Sequence, residues 1–277
     1  MTDADVTRAI FITGAASGMG RATARLFAQR DWFVGAVDVD VDGLSTLEAE
    51  LPLGRRFVRP LDVTDATAFA AVLTTFFEAA GRRLDVMFNN AGIGRGGPFA
   101  DMALEDALRV VDVNLKGVII GIHSAIPFLK ATPNALCFST SSSSATFGMA
   151  QIAVYSATKH AVRGLTEALS VELAPAGVRV ADTLPGLIDT PILPPGSRDR
   201  APPHGMFRLL QPDVVAQTVW NAYHEDTASG PTLHWLVPEE LRALDLAARR
   251  APEAVRDLFL RGEGALSLSQ GRLEALS

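Results

Sequence analysis

Short apolar runs alternate with longer stretches of helical periodicity along most of this chain. The apolar runs cover residues 9–12, 33–37, 57–61, 84–88, 135–139, 178–181 and 233–237. Helical patterns fill residues 21–30, 44–51, 65–80, 104–129, 154–174 and 212–224. Thr64 or Asp65 is expected to cap the third of these helices, and Pro127 is expected to bend the fourth near its end. Strands that alternate with helices at this spacing form βαβ units, and these build a parallel sheet covered by helices on both faces. The sequence therefore predicts an α/β fold, a single doubly wound Rossmann-type domain with about seven strands.

Two segments lie outside this alternation. Residues 189–211 contain five prolines and no clear periodicity. Loops of this length in compact domains are usually functional or disordered, so we expect this one to border a substrate site. Beyond the predicted core, residues 8–237, a C-terminal extension and tail cover residues 238–277. We expect helix over residues 239–261, then a mobile tail or a segment that docks on a partner subunit, with all 277 residues belonging to one domain.

The charge and composition of the chain limit its partners. A net charge of −6 argues against binding to nucleic acid or to anionic membranes. No signal-peptide pattern begins the chain, and no apolar run approaches the ~20 residues of a membrane-spanning helix. We therefore expect a cytoplasmic protein. The single cysteine, Cys137, lies in an apolar run and is expected to be a buried structural residue, and the five histidines show no ligand spacing, so no metal site is predicted.

A glycine-rich loop follows the first predicted strand and opens the first predicted helix. Glycine allows a tight turn and the close approach of a pyrophosphate, while the helix N-terminus supplies N–H groups and a favourable dipole. The spacing is G-x-x-x-G-x-G rather than G-x-G-x-x-G, so the motif alone also fits a plain turn. Its place between strand and helix favours binding of a dinucleotide. The candidate contacts are Gly14, Ser17, Gly18, Met19 and Gly20.

Asp38 closes the second predicted strand, 24 residues after Gly14. A carboxylate at this place can bind the ribose hydroxyls of the adenosine half, and it repels a 2′-phosphate. The glycine-rich loop also carries no lysine or arginine to neutralise such a phosphate. Both features favour NAD over NADP as the cofactor. The alternative is a solvated turn residue, since two more aspartates follow closely.

Tyr155 and Lys159 are four residues apart in a predicted helix, so their side chains lie on one face. A nearby ammonium group lowers the pKa of a phenol below its ordinary value of about 10. The pair is therefore a candidate acid/base device, with a serine-rich run over residues 139–144 just upstream. The same spacing is common in any amphipathic helix, so the pair needs support from the other motifs.

Taken together, these motifs resemble the classical short-chain dehydrogenase/reductase family. The resemblance covers residues 8–190, and it rests on the joint order and spacing of motifs that are weak one by one. The matching positions are 13–20, Asp38, 62–63, 89–92, Asn114, Ser142, Tyr155 with Lys159, and 185–190. The resemblance implies a doubly wound fold and a nicotinamide cofactor.

The resemblance also implies roles for the residues that would hold the cofactor. Asp62 and Val63 would hold the adenine ring, and Asn90 would line the cofactor cleft. Ile188 and Thr190 would contact the carboxamide of the nicotinamide. Each of these positions also has a simpler explanation, such as the termination of a strand or a turn.

The catalytic set that the resemblance implies is Asn114, Ser142, Tyr155 and Lys159. Lys159 would lower the pKa of Tyr155 and bind the nicotinamide ribose, and Asn114 would fix a water of a proton relay near it. Ser142 lies 13 residues before Tyr155, the spacing of the family's catalytic serine; Ser143 is the alternative. In simpler interpretations Asn114 satisfies a helix kink and the serines are turn residues.

One departure from the family lies near the seventh predicted strand. Residues 229–238 lack the aspartate-glycine-glycine ending that commonly helps to build a tetramer interface in this family. We therefore expect a homodimer formed through the long helices around Asn114 and Tyr155, with a tetramer as the alternative.

These observations predict an NAD-dependent enzyme that interconverts a secondary alcohol and a ketone, with Tyr155 as general acid/base. A hydrophobic substrate is expected, although the residues that suggest an apolar pocket also fit ordinary core. They are Ile93, Phe147, Met149, Leu187, Ile192, Leu193, Met206, Phe207 and Leu210. The alternatives are an epimerase, dehydratase or enoyl reductase on the same fold, or a non-catalytic NAD-binding sensor.

Overall fold

Seven parallel strands form the central sheet in the computed structural model, which describes residues 7–194, 196–261 and 273. The strands are β1 Ala9–Thr13, β2 Phe33–Asp38, β3 Arg56–Pro60, β4 Val86–Asn89, β5 Leu136–Thr140, β6 Arg179–Pro185 and β7 His234–Val237. Their order across the sheet is β3-β2-β1-β4-β5-β6-β7. The order reverses between β1 and β4, and ligands of doubly wound sheets bind at such a switch point, outside the carboxyl ends of the strands. The predicted fold class is confirmed.

Helices pack on both faces of the sheet. They are α1 Gly18–Gln29, α2 Val41–Glu50, α3 Ala66–Ala79, α4 Leu104–Val111, α5 Gly117–Lys130, α6 Ala153–Leu173, α7 Ser197–Arg200, α8 Pro212–Tyr223, α9 Leu241–Arg250 and α10 Pro252–Leu260. β1 shows why two layers are needed: Ile10 and Ile12 lie in one hydrophobic cluster, while Ala9 and Phe11 lie in another. Successive side chains of a strand point to opposite faces, so a strand with five buried residues needs helices on both sides.

The predicted helix over residues 104–129 is divided by a π-helical turn. α4 and α5 are separated by Asp112–Lys116, whose hydrogen bonds have π rather than α spacing. The sequence predicted a late bend at Pro127, but α5 continues through that residue and the irregular turn comes earlier. Single π turns within α-helices are frequent at functional sites.

Leu104–Lys130, the 27-residue helical stretch made of α4, this turn and α5, is long and apolar enough to cross a membrane by length and composition. The stretch is not one unbroken apolar run, because Lys116 interrupts it. Val118, Ile122 and Leu129 are buried in the cluster that also contains Phe11. Interior helices of soluble proteins pass the same test, so the observation is weak evidence for a membrane segment.

The N-terminus of α3 is capped by Asp65, one of two residues that the sequence suggested. Its carboxylate accepts hydrogen bonds from the N–H groups of Thr67 and Ala68 at 3.0 and 2.9 Å. Such a cap typically contributes about 1 kcal/mol to helix stability. Thr64, the other candidate, instead bonds to Asp62.

The two segments outside the βαβ alternation have limited structure of their own. Within residues 189–211 the only helix among the described residues is α7. The two ends of this loop are joined by an isolated parallel bridge between Ile188 and Leu210. The predicted helical extension consists of α9 and α10, which meet at Ala251 because Pro252 starts a new helix. Apart from the buried Leu273, the predicted tail lies outside the described residues.

Candidate active site

The glycine-rich loop packs as closely against its neighbours as glycine permits. Gly14 and Gly18 have φ angles of 67° and 51°, in the left-handed region that favours glycine. A Cβ atom on Gly14 would lie 2.8 Å from Cα of Ala91, and one on Gly18 would lie 2.8 Å from Cγ2 of Thr190. One on Gly20 would lie 2.1 Å from the Gly14 carbonyl oxygen. The loop therefore forms a cradle with no side chains at its closest points.

The N-terminus of α1 opens into this cradle. Ser17 is the N-cap residue by backbone position, but its side chain makes no cap hydrogen bond, and Met19 lies in the first turn. The N–H groups of a first helical turn have no partners within the helix and attract anions. The cradle and the helix start together fit a dinucleotide pyrophosphate.

Asn90 ties the loop to the ends of two other strands. Its Nδ2 donates to the carbonyl oxygens of Thr13 and Gly14 at 3.0 and 3.2 Å. Thr13 Oγ1 in turn accepts from the N–H groups of Asn90 and Ala91, both at 3.0 Å. Thr140 Oγ1, at the end of β5, donates to Asn90 Oδ1 at 3.3 Å. Asn90 therefore holds the carboxyl ends of β1, β4 and β5 in a fixed relation at the switch point.

The carboxylate of Asp38 is bonded to the glycine-rich loop rather than free in solvent. Oδ2 accepts from the N–H of Ala16 at 3.0 Å, and Oδ1 accepts from the N–H of Asp40 at 3.1 Å. A carboxylate has about four acceptor positions, so two remain for hydroxyl donors. The geometry is compatible with a ribose diol at this position.

Asp62 and Val63 follow β3 at the same edge of the sheet. Asp62 Oδ1 accepts from the N–H and the Oγ1 of Thr64 at 2.9 and 2.7 Å. These hydrogen bonds, the backbone one first, hold the pKa of Asp62 below its usual range. Val63 is buried against Gly117, where an added Cβ atom would lie 2.7 Å from its Cγ2. Both residues are thus held in place beside the strand that carries Asp38.

Ser142 and Tyr155 are brought together, as their spacing suggested. Hydrogen bonding by the Ser142 side chain acts to lower the pKa of Tyr155, and Ser142 Oγ accepts from the N–H of Ser144 at 3.1 Å. Ser141 Oγ donates to the carbonyl oxygen of Lys159 at 2.9 Å, and Ser144 Oγ is buried without a hydrogen-bond partner among the residues that the structure describes. The geometry favours Ser142 over Ser143 as the partner of Tyr155.

Lys159 lies buried beside this pair. Its Nζ is 5.5 Å from the centroid of the Tyr155 ring and donates to the carbonyl oxygen of Thr140 at 2.8 Å. Burial lowers the pKa of Lys159 to about 8, although the negative charge of Asp182 acts in the opposite direction. The ammonium group is therefore close to the phenol without bonding to it.

The pKa of Tyr155 differs from the sequence prediction. We expected Lys159 to lower it, but burial of the phenol raises it, and the opposing effect comes from the hydrogen bond with Ser142. The physical reason is that desolvation disfavours the phenolate. At neutral pH the hydroxyl of this structure is protonated.

Asn114 lies in the π-helical turn and faces the same region. Its amide forms two hydrogen bonds with the backbone of Ile93: Oδ1 accepts from the N–H at 2.8 Å, and Nδ2 donates to the carbonyl oxygen at 2.9 Å. A Cβ atom placed on Gly92 would lie 3.3 Å from Asn114 Oδ1 and 3.8 Å from Lys159 Nζ. Asn114 and Lys159 therefore face each other across Gly92.

Ile188 and Thr190 close the cradle from the other side. Both are buried, and Thr190 Oγ1 donates to the carbonyl oxygen of Ile188 at 3.3 Å. The methyl group of Thr190 lies against Gly18. Of the residues that suggested an apolar pocket, Met206 and Phe207 are buried core, whereas Phe147 and Met149 are only partly buried.

Two buried charged groups near the site were missed by the sequence analysis. Asp182, on β6, forms a 2.8 Å hydrogen bond with His234 Nδ1. Burial raises the pKa of Asp182 above its ordinary value, and the hydrogen bond with His234 partly opposes this effect. Arg163, on α6, pairs with Asp245. A charged residue within an apolar strand was the only available signal for Asp182.

Among the residues that the structure describes, no group of three or more His, Cys, Asp or Glu side chains could hold a metal ion.

Comparison with known proteins agrees with this geometry. The sequence profile of the short chain dehydrogenase family matches residues 8–201. Cyclohexanol dehydrogenase of Acinetobacter sp. strain SE19 is 34% identical over 218 residues, which are 75% of this chain and 84% of that protein. A 3-oxoacyl-[acyl-carrier-protein] reductase of Thermotoga maritima is 36% identical over 214 residues, 75% of this chain and 87% of that protein.

A solved structure shows the same fold. The 3-ketoacyl-(acyl-carrier-protein) reductase of Brucella melitensis, crystallised with NADH, superposes with a TM-score of 0.75 at 28% identity. The match covers 84% of this chain and 97% of that one. The profile spans more than half of the chain and includes the cradle, Ser142, Tyr155 and Lys159. The chain therefore belongs to the short-chain dehydrogenase/reductase family of oxidoreductases.

Proposed function

We propose that this protein is an NAD-dependent oxidoreductase that interconverts a hydrophobic secondary alcohol and the corresponding ketone. The observation that carries the proposal is the grouping of Ser142 and Lys159 around Tyr155, with the Lys159 ammonium group 5.5 Å from the phenol ring. This group lies beside a glycine cradle at the carboxyl edge of the sheet. A proton donor thus stands next to a dinucleotide site.

The cofactor site is formed by three groups of residues. The cradle and the start of α1 would hold the pyrophosphate, through Gly14, Ser17, Gly18, Met19 and Gly20. Asp38, Asp62 and Val63 would hold the adenosine half. Asn90, Ile188, Thr190, Tyr155 and Lys159 would line the nicotinamide half. When bound there, the nicotinamide supplies the acceptor or donor of a hydride.

Tyr155 exchanges the proton in this proposal. In ketone reduction its hydroxyl acts as general acid, and burial, which raises its pKa, favours the protonated form. In alcohol oxidation it acts as general base, and the nearby charge of Lys159 stabilises the phenolate as it forms. Ser142 donates a hydrogen bond to the substrate oxygen and stabilises its developing negative charge.

Asn114 and Lys159 would pass the proton onward. Lys159 would also bind the nicotinamide ribose. Asn114 is rigidly held by Ile93, and its Oδ1 faces Lys159 across Gly92, a geometry that suits a bridging water. Proton release from Tyr155 would then follow this route to solvent.

The preference for NAD rests on Asp38. Its carboxylate lies at the loop and would oppose the negative charge of a 2′-phosphate. Support for a hydrophobic alcohol comes from the names of two relatives, the cyclohexanol dehydrogenase and a 3-alpha-(or 20-beta)-hydroxysteroid dehydrogenase of Mycobacterium tuberculosis. Both names describe alcohols of ring-bearing molecules.

A homodimer is part of the proposal, with a tetramer as the alternative. Leu104 and Leu108 on α4 and Ile119 on α5 expose 66, 54 and 47% of their surface. A second copy packed on this face would cover them. A cytoplasmic location stays a prediction from composition.

The test uses the purified full-length chain and a panel of secondary alcohols. Formation of reduced cofactor is followed by its near-ultraviolet absorbance with NAD and, separately, with NADP. We expect oxidation of at least one ring alcohol, with a higher kcat/KM for NAD. Absence of NAD binding in calorimetry would overturn the proposal, and a preference for NADP would overturn the role of Asp38.

A further inference from the structure

The C-terminal helices α9 and α10 pack against the two segments that border the candidate substrate site. A third hydrophobic cluster joins them to Ala145, which follows Ser142, and to Met206 and Phe207 of the 189–211 loop. The residues that α9 and α10 contribute to it are Leu241, Leu244, Ala247, Val255 and Leu258. The family profile ends at residue 201, before these helices. They thus lie outside the residues that the profile matches.

The turn over residues 145–149 connects Ser142 to the helix that carries Tyr155. It is fixed at its start, where the N–H of Ala145 donates to the carbonyl oxygen of Ser142 at 2.9 Å. It is fixed at its end, where the N–H of Met149 donates to Ser156 Oγ at 3.2 Å. Any group that moves this turn would therefore act next to both catalytic side chains.

A buried ion pair attaches α9 to the catalytic helix α6. Arg163 Nη1 and Nη2 donate to the two carboxylate oxygens of Asp245 at 2.6 and 3.2 Å. Nη1 also donates to the carbonyl oxygen of Ala145 at 3.1 Å. Both residues are only 8% exposed. Two-point Arg–carboxylate pairs fix orientation as well as distance, so α9, α6 and the turn are held as one unit.

An aromatic stack attaches α10 to the same turn. The rings of Phe147 and Phe259 lie 5.4 Å apart at an interplanar angle of 7°. Both side chains are partly exposed, so the stack presents apolar surface outside the core. A parallel pair of rings offers a flat surface to a ring-bearing ligand.

We propose that α9 and α10 form one wall of the substrate site, and that Phe259, acting through Phe147, is a specificity-determining residue for ring-bearing secondary alcohols and ketones. This inference rests on the proposed function. Phe259 sets the position of the Phe147 ring, and Phe147 contacts the ring of the substrate. Small ketones reach Ser142 and Tyr155 without touching this wall.

The test compares Phe259→Ala with Leu260→Ala, the neighbouring residue of α10, whose side chain is 75% exposed. Reduction of 2-acetonaphthone and of acetone is measured with NADH. For Phe259→Ala we expect kcat/KM for 2-acetonaphthone to fall about tenfold, mainly through KM, as for other losses of apolar pocket contacts. The kcat/KM for acetone should stay within about twofold of that of the unaltered protein, and Leu260→Ala should change kcat/KM for neither ketone. An equal fall in kcat/KM for both ketones, or no fall for either, would contradict the proposal that α9 and α10 border the substrate site.

Binding without turnover gives an independent readout. Equilibrium dialysis measures the affinity of both variants and of the unaltered protein for 2-acetonaphthone in the presence of NADH. We expect Phe259→Ala to weaken it about tenfold and Leu260→Ala to leave it unchanged. If these affinities are found but the protein reduces no ketone, the proposed function is contradicted and the assignment of α9 and α10 to the binding site is supported. If ketones are reduced and Phe259→Ala leaves this affinity unchanged, the proposed function holds and only the assignment of α9 and α10 to the substrate site is contradicted. Matching melting temperatures of the two variants exclude general unfolding.

Discussion

The ammonium group of Lys159 donates a 2.8 Å hydrogen bond to the carbonyl oxygen of Thr140, at the carboxyl end of β5. This bond anchors α6 to the sheet through a buried charged group. The carbonyl oxygen compensates only part of the lost hydration, so the pKa of Lys159 falls to about 8. The position of the ammonium group beside Tyr155 is thus obtained at the expense of stability.

Folding stability should reflect this depressed pKa. Lys159 has a pKa of about 8 in the folded chain, below its ordinary value of 10.5. Between these values the unfolded chain binds more protons, so stability rises as the pH increases through this window. The free energy of unfolding of the unaltered protein relative to Lys159→Met should therefore rise by roughly 2–3 kcal/mol between pH 8 and 10.

Urea denaturation across this pH range measures the difference. Lys116→Met serves as control because Lys116 is 58% exposed, and its difference from the unaltered protein should be flat. A difference for Lys159→Met that is equally flat would show that the folded lysine titrates normally.

Asn114→Ala should destabilise the protein and slow its turnover. The substitution leaves the N–H and carbonyl oxygen of Ile93 without this partner in a partly buried region, which costs about 1–3 kcal/mol. Asn221→Ala is the control, because Asn221 is exposed and its side chain accepts a hydrogen bond from Gln217. Chemical denaturation measures the stability of the two variants and a cofactor-linked assay measures their turnover. A loss of stability for Asn114→Ala no larger than that of the control would contradict this role of the amide.

The sequence predicted the local features of the fold well, because burial periodicity and turn chemistry are local signals. The seven strands, the glycine cradle and the Asp65 cap all follow from residues close together in the chain. The π-helical turn did not, and the hydrogen bonds that fix its Asn114 run to Ile93, which is 21 residues away. Pairing over such distances leaves no periodic signal.

In the candidate site, too, features with a local signal were predicted and features that depend on burial or on distant contacts were not. Spacing pointed to Ser142 and Tyr155, and the structure places them close enough for Ser142 to influence the pKa of Tyr155. The pKa of Tyr155 was predicted in the wrong direction, because burial cannot be read from the four-residue spacing of a tyrosine and a lysine. The pair of Arg163 and Asp245 joins residues 82 positions apart, so only the folded chain reveals it.

Asp38→Ala should weaken NAD binding selectively. Removing a carboxylate that would accept hydrogen bonds from the ribose hydroxyls should raise the Kd for NAD about tenfold or more. The Kd for NADP should stay constant or fall, since the repulsion of the 2′-phosphate is removed. Calorimetry with both cofactors measures this, with Asp42→Ala, an exposed carboxylate on α2, as control. An unchanged ratio of the two Kd values would remove the role assigned to Asp38.

Asp245→Asn should be strongly destabilising, because it removes the negative charge that accepts two hydrogen bonds from the buried Arg163 and leaves the guanidinium with the more distant and more exposed Glu167, at 3.6 Å. The expected loss is roughly 3 kcal/mol, and Asp257→Asn, in an exposed pair with Arg256, should cost about 0.5 kcal/mol or less. The double variant Arg163→Met with Asp245→Asn should lose less than the sum of the two single losses. Additive losses in chemical denaturation would show that the two groups do not interact.

The proton transfer assigned to Tyr155 is tested most directly by Tyr155→Phe, which removes a single oxygen atom. Turnover of the best alcohol found in the panel is measured with NAD, and NAD binding is measured by calorimetry on the same preparation. We predict a fall in kcat of about 10²–10⁴-fold, with the Kd for NAD changed by less than about threefold. A variant that binds NAD normally and keeps most of its kcat would contradict the account.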